Sequence, residues 1–231
     1  RISPLKSFWG INKKTEIKLN KKGIITIGDL AHYPHRYLKK DFGILGTDMH
    51  LHANGIDQSK IREKSKINNP AICKSQILMR DYQFKEAKIV MQELIEDVTC
   101  RLRERKQLAR TIHFSFGYTK GGGIHKQHTL TDATNLEQDI FKVVNDYANQ
   151  LCDKHALYRT LSVSLTQFIH EENRQLNLFV NEYKRQRDEN LAKTIDTLQR
   201  KYGKGIVSKA ISYTASGTKH NRLGLMAGHK M

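Results

Sequence analysis

Between Ala71 and Phe168 the apolar residues switch repeatedly from a spacing of two to a spacing of three or four and back, which admits few folds. AICKSQILM reads as a strand. Ala87, Val90, Met91, Leu94, Val98 and Leu102 then recur at helical spacing over about six turns. LARTIHFSFGY alternates, with Ile112, Phe114 and Phe116 on one side and Thr111, His113 and Ser115 on the other. TKGGG is a turn and GIHKQHTL the strand returning from it. Leu136, Ile140, Val143, Val144, Tyr147 and Leu151 mark a second amphipathic helix, and YRTLSVSLTQF a last alternating strand. The order β-α-β-β-α-β predicts an α+β unit over residues 71–170, a four-stranded sheet with two helices on one face.

Such a sheet leaves its other face uncovered. Lys74, Gln76, Thr111, His113, Lys126 and His128 are expected there, polar or basic and spaced by twos, as suits contact with phosphates. A merely solvated face would alternate in the same way, and a slip of one residue exchanges the two faces. Charge favours the polyanion: 40 Lys and Arg against 23 Asp and Glu give a formal net charge of +17.

Residues 1–57 carry shorter signals. Ile17, Leu19, Ile24, Ile27 and Leu30 are too closely punctuated for one long helix and predict several short ones with tight hairpins. Residues 58–70, QSKIREKSKINNP, are polar, basic and end in proline, the composition of a linker. After Gln167, FIHEENRQLNLFVNEYKRQ leads into a helix with Leu191, Ile195, Leu198 and Tyr202 on one face. The glycine-rich basic end from 203 to 231 is expected to be weakly ordered or strand-like.

Few segments suggest chemistry. Gly10-Ile11-Asn12, with Lys13 and Lys14 after it, could form a hairpin in which glycine lets backbone N–H groups approach a DNA phosphate. A bland helical hairpin would carry the same glycine. Phe42-Gly43-Ile44-Leu45-Gly46 is a weaker second candidate. Gln175-Leu176-Asn177-Leu178-Phe179 has apolar anchors in a polar setting, as a peptide docking in a partner's groove would, or a segment capping its own domain. The pairs His32/His35, His50/His52 and His125/His128 lack the cysteine or carboxylate that would complete a metal site. Glu93, Glu96 and Asp97 are expected on a solvated helix face rather than in a two-metal cluster. TKGGGI lacks the phosphate-loop spacing. Cys73, Cys100 and Cys152 form no disulfide pattern and suit a reducing cytoplasm. No stretch approaches the ~18 apolar residues of a membrane span, so a soluble protein is expected and no membrane partner.

These segments resemble a known family. FWGINKKTEIKLNKKGIITIGDLA with DFGILGTDMHLHANGID is similar to the thumb of Y-family translesion DNA polymerases of the UmuC/ImpB/MucB/SamB type. AICKSQILMRDY and LARTIHFSFGY resemble the start of their little-finger domain, QLNLF their sliding-clamp-binding pentapeptide, and GLMAGHKM the ending of Gram-positive members. The resemblance implies a helix-hairpin-helix thumb at 1–57, a little finger at 71–170, and at 171–231 the clamp motif, an amphipathic helix and a basic tail. It implies a sequence-independent grip on primer-template duplex DNA within an error-prone lesion-bypass polymerase of the SOS response, and docking to the replicative sliding clamp. Gly10, Asn12, Lys13, Lys14, Gly43 and Gly46 would touch DNA from the thumb. Lys74, Ser75, Gln76, Arg110, Thr111, His113, Lys126 and His128 would do so from the little finger. Gln175, Leu176, Leu178 and Phe179 would contact the clamp.

The family's palm, with its two Mg ions and dNTP site, has no counterpart here. The chain is therefore expected to be the C-terminal half of a polymerase, itself without cofactor and inactive alone. A stand-alone DNA-binding or clamp-binding adaptor is the alternative. An RNA-binding module would need an order of strand aromatics that LARTIHFSFGY lacks.

Overall fold

The computed structural model describes residues 5–58, 70–175, 177, 181–223, 225–226 and 229–230. It divides into two compact units, residues 1–66 and 67–231. All but the ends of the expected 58–70 linker lie outside the described residues.

In the first unit a 3₁₀ turn at Leu5–Ser7 precedes four short helices: α1 Lys13–Asn20, α2 Ile27–His32, α3 His35–Phe42 and α4 Ile44–Ala53. Local chemistry sets their ends. The Asn12 side chain accepts from the Thr15 N–H at 2.9 Å and caps α1. Thr26 and Asp29 form a reciprocal capping box on α2. Short helices cannot stand alone, so each turns an apolar residue inward, and Leu5, Ile11, Leu19, Ile24, Leu30, Leu38 and Met49 make one core. A Cβ on Gly46 would lie 2.1 Å from the Leu38 carbonyl oxygen, so only glycine lets α3 and α4 approach this closely.

The second unit holds β1 Ile72–Tyr82, α5 Phe84–Glu104, β2 Gln107–Tyr118, β3 Gly123–Thr134, α6 Glu137–Leu151 and β4 Tyr158–His170. The strands form one antiparallel sheet in the order β1-β4-β2-β3. Ala87, Val90, Met91, Leu94, Val98 and Leu102 of α5 are fully buried, as their spacing predicts, against Phe114, Phe116, Leu161, Val163 and Leu165. Ile140 and Val144 of α6 join the same core. Both the fold class and the order of elements agree with the sequence pattern.

The chain beyond β4 departs from expectation. α7 Glu182–Tyr202 exposes Leu191, Leu198 and Tyr202. It is anchored by polar groups: the Arg103 guanidinium grips Asp196 through two hydrogen bonds of 2.6 and 2.9 Å, both side chains being largely buried. The tail is not weakly ordered between 203 and 223. A 3₁₀ turn at Ala210–Tyr213 and the short helix α8 Lys219–Leu223 pack against α5, and only the two-residue strands β5 Leu225–Met226 and β6 His229–Lys230 are strand-like. Glu93, Glu96 and Asp97 are accordingly not a solvated face. Glu93 is 2% exposed and accepts from the Thr218 N–H and hydroxyl at 3.0 and 2.8 Å. Lys219 pairs with Glu96 at 2.5 Å and Arg222 with Asp97 at 2.7 Å. Helical period alone could not tell that the polar side of α5 has a lid.

Candidate nucleic-acid interface

Directly paired residues of neighbouring strands point to the same side of a sheet, so register decides which side chains share the uncovered face. One rung is Ser75, Ser162, Ser115 and His125; the next is Cys73, Ser164, His113 and Gln127. Thr166, Thr111 and Thr129 continue one end, and Ile77, Thr160, Gly117 and Gly123 the other. None of these positions is charged. Ser115 and Ser162 hydroxyls lie 2.6 Å apart, and His113 Nε2 lies 3.1 Å from the Thr166 hydroxyl. Thr111 donates to Gln167 at 2.8 Å. The face is a lattice of small hydroxyls and imidazoles lying close to the strand backbone.

This corrects the expected site. Ser75 and His113 are on the uncovered face; Thr111 shares their register but is only 1% exposed, its hydroxyl tied to Thr129 and Gln167, and Lys74, Gln76, Lys126 and His128 are on the helix-bearing side. Ile72 and Leu78 are buried in the core, and the two-residue period turns Lys74 and Gln76 inward with them. Lys74 faces Asp97 at 3.8 Å, and Gln76 accepts from the Thr218 hydroxyl at 3.2 Å. On the edge strand Lys126 pairs with Phe114 and stays exposed, while His128 pairs with Ile112 and lies 3.2 Å from the Tyr147 hydroxyl of α6. Arg110 is exposed, its Nε donating to the Leu130 carbonyl at 3.1 Å. The residues that sequence reasoning missed, Ser162, Ser164 and Thr166, are the polar half of the SVSLTQ alternation in β4.

In the first unit Gly10 is exposed at φ +86°, and Lys13 and Lys14 are exposed at the start of α1. Asn12 is occupied as the cap, accepting from both the N–H and the hydroxyl of Thr15. A positive φ of 63° at Gly43 lets the chain turn between α3 and α4. Gly46 is buried between these helices and cannot touch a ligand, which corrects its expected role.

Of the pentapeptide, Gln175 is exposed and Asn177 donates to Asp132 at 2.7 Å, whereas Leu176, Leu178 and Phe179 lie outside the described residues. Arg174 just before it holds both Glu182 and Glu189 of α7. Among the described residues no group of three His, Cys, Asp or Glu side chains could hold a metal ion, and no helix is long and apolar enough to cross a membrane. Burial pushes the Cys100 thiol up to about 12 and raises that of Cys152, so neither is a thiolate nucleophile near neutrality.

The fold is shared with a solved polymerase. A Y-family DNA polymerase chimera, Dbh-Dpo4(243-245)-Dbh, superposes with a TM-score of 0.54 over 72% of this chain and 47% of that one, at 16% identity. Residues 70–178 match the impB/mucB/samB family C-terminal domain. In Bacillus subtilis (strain 168), the putative UV-damage repair protein UvrX is 37% identical over 100% of this chain and 56% of its own length. The DNA repair protein homolog YobH of that strain is 41% identical over 62% of this chain and 67% of its own. DNA polymerase IV 2, again from that strain, is 32% identical over 98% of this chain and 55% of its own. The chain belongs to the Y-family DNA polymerases, in their impB/mucB/samB branch. It spans little more than half the length of most curated relatives it matches.

Proposed function

We propose that this chain grips primer-template duplex DNA by its backbone and serves lesion-bypass synthesis in the SOS response to DNA damage. The observation that carries this is the uncovered sheet face, uncharged and rich in hydroxyls, within a chain of net charge +17. Neutral donors on a flat surface can hydrogen-bond phosphates without reading bases, so distorted template positions are tolerated. The surrounding cations supply long-range attraction. The first unit adds a helix-hairpin-helix contact. Asn12 takes the Thr15 amide and its carbonyl the Glu16 amide, which leaves those of Lys13 and Lys14 at the start of α1 for a phosphate.

The family's Mg ions and dNTP do not fit the residues here. Glu93, Glu96 and Asp97 are committed to Thr218, Lys219 and Arg222. No catalytic step is therefore assigned to these residues. Gln175 and the residues to Phe179 dock a sliding clamp, and three unpaired cysteines suit a reducing cytoplasm.

Binding anisotropy with unrelated duplexes tests the grip. Affinities should match between sequences, and log K should fall with log salt by about 0.9 per phosphate engaged. A flat salt response, or strong preference for one sequence, would overturn it. For the clamp, Phe179→Ala should weaken binding roughly thirtyfold, the loss of a ~2 kcal/mol anchor, with duplex affinity unchanged. Equal clamp affinity in both proteins would reject the docking role.

A further inference from the structure

On the helix-bearing side of the second unit, away from the bare sheet face, β1, the C-terminal half of α5, the end of α7 and α8 enclose a cavity of about 390 Å³. That volume lies within the ~300–1,000 Å³ common for small-ligand sites. Six cations line it against three carboxylates. Lys219 is paired with Glu96, and Arg222 with Asp97, the acid that Lys74 also faces from 3.8 Å. The third carboxylate, Glu104, lies 3.9 Å from the Cys100 sulfur. Arg101 spends one N–H on the Cys73 carbonyl, and Arg105 and Lys204 have no ion-pair partner among the described residues. Acceptors run out before donors do: Arg222 Nε is buried with none.

We propose that this cavity binds a phosphate group, held by Arg101, Arg105, Lys204 and Lys74. Arginine forks supply paired donors to tetrahedral oxyanions, and the two lysines add point charges. The electrostatics of the cavity point the same way. Burial, reinforced by the neighbouring Arg222, Arg101 and Lys204, lowers the Lys74 pKa below that of a free lysine, though Asp97 opposes this. An anion would relieve that repulsion. The phosphate could come from a nucleic-acid strand leaving the sheet face or from a free inorganic anion, and the two are separable by experiment.

The test uses the whole chain. Inorganic phosphate is titrated at constant ionic strength against chloride, with binding followed by calorimetry. A 5′-phosphorylated single-stranded pentanucleotide and its unphosphorylated twin are then titrated in the same way. The variant is Arg105→Gln with Lys204→Gln, two exposed side chains whose loss should leave the thermal midpoint in chloride unchanged. Saturable phosphate binding that weakens at least about tenfold in the variant is expected. Competition by the pentanucleotide would identify a strand as the source, and binding of inorganic phosphate alone a free anion. No saturable binding of any probe, or equal binding by the variant, would overturn the site. Loss confined to the unphosphorylated and phosphorylated strands alike, with phosphate never bound, would also overturn it.

Discussion

Glu86 shows how one carboxylate can serve two ends. It accepts from the Gln83 N–H at 2.8 Å as the far half of the α5 capping box, and it pairs with Arg80 at 2.5 Å. The Arg80 hydrogen bond leads the causes that hold its pKa at about 2 rather than the ordinary 4.5. A depressed folded pKa stabilises above the unfolded value and is lost as pH falls through the folded one. Glu86→Gln should therefore cost about 1 kcal/mol at pH 7, the usual size of a cap, since solvent screens the half-exposed Arg80. That difference should close between pH 4.5 and about 2. Urea unfolding of both proteins at pH 7 and pH 3 decides it, and an equal gap at both would mean that charge is not what Glu86 contributes. The sheet makes a second residue-level test. Ser162→Glu puts a carboxylate at the centre of the bare face and should cut duplex affinity more than about tenfold for every sequence. His128→Phe, on the helix side against Tyr147, should change it less than about twofold. The reverse outcome in anisotropy titrations would mean that the grip lies on the other face.

At the level of elements, what the sequence showed and what it hid divide along one physical line. Helix faces were legible because burial of Val90, Met91, Leu94 and Val98 needs only the 3.6-residue period, and the order of α and β segments along the chain needs only the changes of period. Strand faces in β1 were not, because AICKSQIL has an apolar residue in both phases and only the partners of Ile72 and Ile77 in β4 settle which is buried. Ile72 pairs with Leu165 and is buried, whereas Ile77 pairs with Thr160 and is 73% exposed. The tail was illegible for another reason. Its contacts with α5 are polar and long in range, so no local apolar period announces them. The tail's hold can be broken at Glu93. Glu93→Ala leaves the Thr218 amide buried without an acceptor, which should cost about 1–3 kcal/mol. Hydrogen exchange in residues 210–223 should speed up while the sheet stays protected. Unchanged exchange there would show that the tail is held by something other than this carboxylate.

For the whole molecule the two cores differ greatly in size, and stability should follow. Among the described residues, seven buried apolar residues make the core of the first unit and twenty-three that of the second. Small units bury a lower fraction of their surface and are marginal alone, since the entropy of ordering each residue is nearly constant while the apolar area gained per residue is not. Each core is built from residues of its own unit. Calorimetry should resolve two transitions, the first from the helical unit and the second from the sheet. Duplex DNA should raise both, because a ligand bound by the native form of each unit shifts each equilibrium by mass action. The helical unit should gain more in midpoint, its smaller unfolding entropy converting the same binding energy into more degrees. Leu30→Ala, a buried truncation in the first core worth about 2–5 kcal/mol, should lower or abolish the first transition and leave the second in place. One cooperative transition, shifted as a whole by that substitution, would mean that the two units fold as a single body.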